Sequence, residues 1–470
     1  MAKAIKTNQM KKNLFISICV QIVSLVVNLI LNLILPKCID EFQYAYWQTY
    51  FLYVGYVGVL HFGLLDGIVL RYSQFDYDEL DKPRLRSQFK ILLTLNTIMT
   101  IIVTVISIFA TSNINKYIFI FVAIGIITKN VYTYSSYAFQ ITNRIDKYAI
   151  QVISMRVFYG LLTVIFLCMK LNDFRWFCIA DLSSDLFGVC VGYIYNKEIF
   201  SGKSISFNES IKEFTSNIVA GAMLLISNWS SSFLVGSAKM IIQWHWDDLT
   251  FGKVTFSFSV STLFLTFVNA VSVVLFPSLK RMNKEQLPYV YKSIRDFISP
   301  LLFLSLLFYF PGCYILNLWL PKYNASLAYL GILLPIIIFS SKVTLLTNNY
   351  LKAYRMEKKM LTINLAMLFI AIVIFTITAF LLNNLTIMLL SVVLLLMARS
   401  IISEIVVMRA INVKIVKDFY YEAAMTVIFM ICASRFNLIY GFLLYLLFFV
   451  VYCVFNRKNT ENLINKIVRN

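Results

Sequence analysis

The sequence predicts an all-α protein that crosses a membrane about fourteen times, and three observations carry that prediction. The 470 residues are 60% hydrophobic and only 14% charged, with a mean hydropathy of +0.76. Apolar runs near the length needed to cross a bilayer, about 20 helical residues, recur from Leu14 to Phe455. Most of the 42 lysines and arginines fall in the breaks between these runs. A soluble core cannot use so much apolar surface without leaving large sticky patches outside. The net charge of +19 is dispersed along the chain, which argues against a nucleic-acid partner. Membrane lipids are the solvent.

Reading apolar runs against polar breaks places the spans near 14–35, 44–68, 88–110, 117–139, 148–169, 176–195 and 216–237, then 254–276, 297–319, 326–347, 361–382, 386–407, 419–434 and 438–455. The first run follows Lys3, Lys6, Lys11 and Lys12. It exceeds a signal-peptide core and lacks an Ala-x-Ala site, so it counts as a span. The thirteenth carries Glu422 inside it. With the N-terminus in the cytoplasm, the inner segments hold 30 basic residues and the outer ones 8. This bias predicts an even span number with both termini cytoplasmic.

The connections are short. The longest outer one, "AKMIIQWHWDDLTFGK" at 238–253, is too small for a catalytic domain, and no catalytic residues are expected. In the inner connection after span six, "GKS" is no phosphate-binding loop, because Lys197 stands where that pattern requires glycine. The eight cysteines form no CxxC or metal spacing and read as small hydrophobes. His61 and His245 lie far apart, so no metal site is expected. A faint likeness between "YAYWQTYF" (44–51) and "FGKVTFSF" (251–258) suggests two parallel halves.

"LPK" (35–37) closes the first span, "YAYWQTYF" opens the second, "FGLLDGIVLRYSQ" (62–74) ends it, and "FPSLKRM" (276–282) ends the eighth. On these stretches, and on size and span layout, the chain resembles the polysaccharide-transport family of the multidrug/oligosaccharidyl-lipid/polysaccharide (MOP) exporter superfamily. Within it, the O-antigen and capsule-repeat flippases of the Wzx type are the nearest in character. Ala45 departs from the glycine usual there. The resemblance implies two six-helix lobes around a central cavity plus two further helices. This assigns 1–195 to an N-terminal lobe, 196–214 to a cytoplasmic linker, 215–408 to a C-terminal lobe, and 409–470 to the last two spans and a tail. It also implies alternating access in the bacterial inner membrane and a lipid-linked oligosaccharide substrate on undecaprenyl pyrophosphate. The polysaccharide polymerase and chain-length regulator would be further partners, and no cofactor is implied beyond coupling to H+ or Na+.

Such a substrate explains charges at membrane depth. Fixed cations in a wet lumen would offset the pyrophosphate, and the substrate-binding set is Lys129, Arg156, Lys342 and Arg399. The competing roles are structural. Lys129 would pair with a buried acid, Arg156 and Lys342 would extend to the interface, and Arg399 would pair with Glu404. The ion-coupling set is Asp66, Asp181, Asp185 and Glu404, with Glu422 also at depth. Asp181 and Asp185 share one helical face. Asp66 lies between glycines that permit close helix approach, and its structural alternative is a pair with Arg71. A MATE-like drug or metabolite exporter is the close rival. A polymerase or membrane glycosyltransferase is the rival from another class.

Overall fold

In a bilayer every backbone N–H and C=O needs a partner inside the protein, and an α-helix supplies one within a single segment. The computed structural model describes residues 2–109, 113–281, 285–413 and 416–456, and no strand occurs among the described residues. The helices begin with α1 (Ala2–Leu29), α2 (Leu35–Cys38), α3 (Glu41–Val54), α4 (Leu64–Tyr72) and α5 (Lys82–Ile108). Then come α6 (Asn113–Ile141), α7 (Ile145–Cys168), α8 (Phe174–Phe200), α9 (Phe207–His245) and α10 (Asp248–Arg281). After these follow α11 (Leu287–Leu307), α12 (Tyr309–Trp319), α13 (Asn324–Leu333), α14 (Ile336–Lys342) and α15 (Asn348–Ala353). The chain continues through α16 (Glu357–Thr376), α17 (Leu385–Ile411), α18 (Val416–Arg435) and α19 (Leu438–Phe455).

Polar residues at the breaks start several of these helices. The carboxylates of Asp40 and Asp173 accept from the Phe42 and Arg175 amides, and the Asn384 and Asn437 side chains accept from those of Ile387 and Tyr440. Each satisfies an amide that no helical carbonyl reaches. The first span runs past Pro36 to Cys38, through a π turn at Ile30–Ile34. Proline supplies no N–H and crowds the preceding turn, and the wider π turn accommodates both defects.

The second span is broken. Phe62 and Gly63 adopt φ of +52° and +87°, and the helix bends by 56° there. Beyond the bend, α4 crosses α9 at backbone contact: a Cβ on Gly67 would lie 1.8 Å from the Asn217 carbonyl oxygen. One on Gly221 would lie 2.0 Å from the Gly63 oxygen. The glycines around Asp66 do permit a close crossing, as the sequence indicates.

The expected spans fall on helices, two of them on bent helix pairs. Among the described residues ten spans qualify, and twelve if each of two bent pairs crosses once. The eighth expected span lies on α10. The thirteenth lies on α18, which carries Asp418 and Glu422. The expected outer loop at 238–253 is helical except at Trp246 and Asp247, and the non-helical part of 196–214 is Ser201–Ser206. Lys284 and the tail 457–470 lie outside the described residues, as do the side chains of the FPSLKRM stretch and of the first lysines.

Residues Met1–Ser232 and Phe233–Asn470 form two compact units. In the first, α5, α6, α7 and α8 pack on one another, α1 lies along α7, and α3 lies against α6 and α8. In the second, α10 packs on α13, α14 and α15, and α17 packs on α13, α14 and α16. The last two helices belong to this second unit: α18 contacts α13, and α19 contacts α11, α12 and α18. Buried Tyr445 donates to the Phe303 carbonyl at 3.1 Å, and Gly441 brings α19 close to the Cys432 carbonyl.

Candidate functional site

Each unit holds a cluster of ionisable side chains packed among its helices. In the first unit, one stripe of α8 presents Asp181, Asp185, Gly188 and Gly192 at successive helical turns. The glycines bring α6 close: their Cβ positions would fall 2.7 Å from Tyr132 and 1.9 Å from Ser135. At this spacing Lys129, in the middle of α6, reaches both carboxylates at 2.9 Å. Tyr50 on α3 donates to Asp181 at 2.7 Å, and Thr128 donates to Asp185 at 3.4 Å. The Asp181 and Asp185 side chains are 8% and 5% exposed, whereas that of Lys129 is 24% exposed. The lysine therefore both pairs with acids and touches open space.

Arg156 on α7 lies within electrostatic range of Asp185, and its Nε has no hydrogen-bond partner among the described residues. Asp66 is buried in the first turn of α4 with His61 Nε2 at 3.8 Å. His61 Nδ1 accepts the Gly63 amide at 3.1 Å, so the neutral ring carries its proton on Nε2, toward Asp66. The structural alternative for Asp66, a pair with Arg71, is not formed. Arg71 reaches Glu213 at 2.5 Å and Asn217 at 2.6 Å, because the α4–α9 crossing places those acceptors at the helix end.

In the second unit, five charged groups from four helices form a closed cluster. Arg295 on α11 binds Glu404 at 2.9 Å, Asp418 at 2.6 Å and Glu422 at 2.6 Å. Lys342, at the end of α14, contacts Glu404 and binds Glu422 at 2.6 Å. Both cations also lie over the Phe419 ring. The side chains of Arg295, Lys342, Glu404 and Glu422 are at most 3% exposed, and only Asp418 has appreciable access at 26%.

This arrangement corrects three expectations. Lys342 does not extend to the interface; its ammonium is enclosed between two carboxylates. Glu404 takes Arg295 and Lys342 rather than Arg399, which is also buried on α17. Arg295, counted among the inner-loop cations, is 2% exposed at the centre of the cluster. The sequence did carry a signal for it: Asp418 and Glu422 are four apart, the same spacing as Asp181 and Asp185. An acid pair on one helical face at depth calls for a cation opposite. No group of three or more His, Cys, Asp or Glu residues that could hold a metal occurs among the described residues.

The fold is that of a polytopic α-helical membrane protein, and it is similar to the fold of MOP-superfamily transporters. The lipid II flippase MurJ in an inward closed conformation is similar over 94% of this chain and 98% of that protein, with a TM-score of 0.66 and 13% identity. An inward-facing multidrug resistance transporter of the MATE family matches over 83% of this chain and 98% of its own, with a TM-score of 0.63 and 12% identity. A MOP-superfamily transporter from Pyrococcus furiosus matches over 86% and 95%, with a TM-score of 0.56 and 12% identity. No family model matches the sequence, and no curated protein matches it.

Proposed function

We propose that the chain is a flippase that carries oligosaccharide repeat units on undecaprenyl pyrophosphate across the bacterial inner membrane by alternating access, for O-antigen or capsule synthesis. The termini would face the cytoplasm, where the basic segments lie. The observation that carries this reading is the Lys129 cluster: a lysine at mid-span whose side chain is partly exposed, near an arginine whose Nε has no partner among the described residues. Likeness to a lipid flippase along nearly the whole chain adds support.

The geometry suggests how the charges would work. Lys129 is already compensated by two carboxylates, so it is poorly placed to attract a pyrophosphate in this state. Neutralising Asp181 or Asp185, by H+ or by Na+, would free the ammonium for the anion beside Arg156. Binding of the coupling ion and of substrate then reinforce one another. Asp66, facing His61, is a second ion-coupling group. The closed cluster around Lys342 and Glu404 takes no direct part in this scheme.

The rival exporter reading draws on the same triad, whose two acids and one lysine suit a cation. Reconstitution separates the two. Purified protein in vesicles should move a fluorescent pyrophosphate-linked oligosaccharide lipid between leaflets under an ion gradient. Efflux of a cationic dye without movement of that lipid would replace the flippase by the exporter.

A further inference from the structure

The Ser201–Ser206 connection between α8 and α9 is pinned to α5. Arg86 donates from Nε to the Glu198 carbonyl at 2.7 Å and from Nη1 to the Lys203 carbonyl. Gly202, at φ +128°, lets the chain turn tightly round this guanidinium, where a Cβ would lie 2.6 Å from Nη1. Two residues further along α5, buried Gln88 donates to the Ser210 carbonyl at 3.1 Å and holds the start of α9. These bonds leave a groove of about 520 Å³ between α5 and α9, with Ile91, Leu95, Ile98, Ile211 and Phe214 in its walls.

Three properties of the groove describe its occupant. Its apolar floor continues into an exposed face of α5, where Ile98, Ile101 and Ile102 are 49%, 58% and 45% exposed. Phe207, 75% exposed at the start of α9, extends the same surface. The rim is cationic: Lys90 lines the groove, and exposed Lys203 and Lys212 adjoin its wall residues Ser204 and Ile211. The neighbouring acids are engaged, Glu198 by Lys82 and Glu209 by the Ser206 hydroxyl. Finally, Ser204 lines the groove, and its hydroxyl has no hydrogen-bond partner among the described residues. An unmade hydrogen bond of this kind is costly, and an acceptor held in the groove would relieve it.

An apolar trough, a basic rim and a donor where they meet fit an amphiphile with a negative head. We infer that this groove binds an anionic phospholipid, with an acyl chain along Ile91–Ile98 and the phosphate between Ser204 and Lys90. The site is separate from the ion clusters and does not depend on the transported substrate. A lipid bound here bridges α5 and the α8–α9 connection, so it would stiffen the base of α9.

The test uses the full-length protein in mild detergent, titrated with phosphatidylglycerol or phosphatidylcholine, with bound lipid counted by native mass spectrometry. Phosphatidylglycerol should be retained preferentially. Lys90→Gln should weaken its retention roughly fivefold, the usual effect of one lysine at a membrane surface. Ser204→Ala should weaken it less, and Leu95→Trp should reduce both lipids. Lys116→Gln, at the start of α6, should change neither. Lys90 is exposed, so an unchanged melting temperature will verify that its variant is folded. Equal retention of the two lipids overturns the site, as does unchanged phosphatidylglycerol binding in both Lys90→Gln and Ser204→Ala. Displacement by inorganic phosphate alone also overturns it, because the apolar floor would then contribute nothing.

Discussion

The two units solve one problem in different ways. Each has an acid pair four residues apart on one helix, Asp181 and Asp185 on α8, Asp418 and Glu422 on α18, and each answers it with cations from neighbouring helices. In the first unit one lysine serves both acids and stays 24% exposed. In the second, Arg295 and Lys342 are at most 2% exposed among three acids drawn from α17 and α18. A closed network of charges gains little net stability over apolar packing, yet breaking it strands charge in a dry interior. An open network can exchange partners with water or ligand. The difference marks the second cluster as a staple joining α11, α14, α17 and α18, and leaves the first the more open of the two.

The largest expected effect tests the staple. Arg295→Leu leaves Glu404, Glu422 and Asp418 with Lys342 alone and should cost about 3–5 kcal/mol, read as a fall in melting temperature and in monodisperse yield. A protein that melts normally would erase the distinction between the clusters. Next, Lys129→Ala should cost less, about 1–3 kcal/mol, because the Lys129 side chain is 24% exposed rather than fully enclosed, while transport is lost. Adding Asp185→Asn should recover stability without recovering transport. If stability returns with Asp66→Asn instead, the partners assigned to Lys129 are wrong.

Smaller changes sharpen the picture further. Asp181→Asn and Asp185→Asn should each retain substrate binding yet lose the response of transport to collapse of the proton or sodium gradient; a full response in both would move coupling elsewhere. The smallest effect is expected from Lys129→Arg. A guanidinium can bridge two carboxylates, so stability should stay within about 0.5 kcal/mol of the parent. Transport should fall only in part, because charge survives while its geometry changes.

Hydropathy and charge spacing were enough to reveal the helices, because in lipid a long apolar run has few alternatives to helix. They also exposed the shared face of Asp181 and Asp185, which follows from helical period alone, and the close-packing glycines around Asp66. What lay beyond them was partner choice. Arg71 takes Glu213, and Glu404 takes Arg295, across 142 and 109 residues of chain. Arg295 read as a loop cation because its sequence neighbours are polar, yet helix packing carries it inward. Whether Lys129 is open and Lys342 closed depends on how near each neighbouring helix approaches. Along α8 that approach is set by Gly188 and Gly192, whose missing side chains matter only once Tyr132 and Ser135 are opposite them. Local sequence determines which groups must be neutralised in a membrane; only the tertiary packing decides which charge neutralises which, since ion pairing acts through space over a few ångströms, without regard to order along the chain.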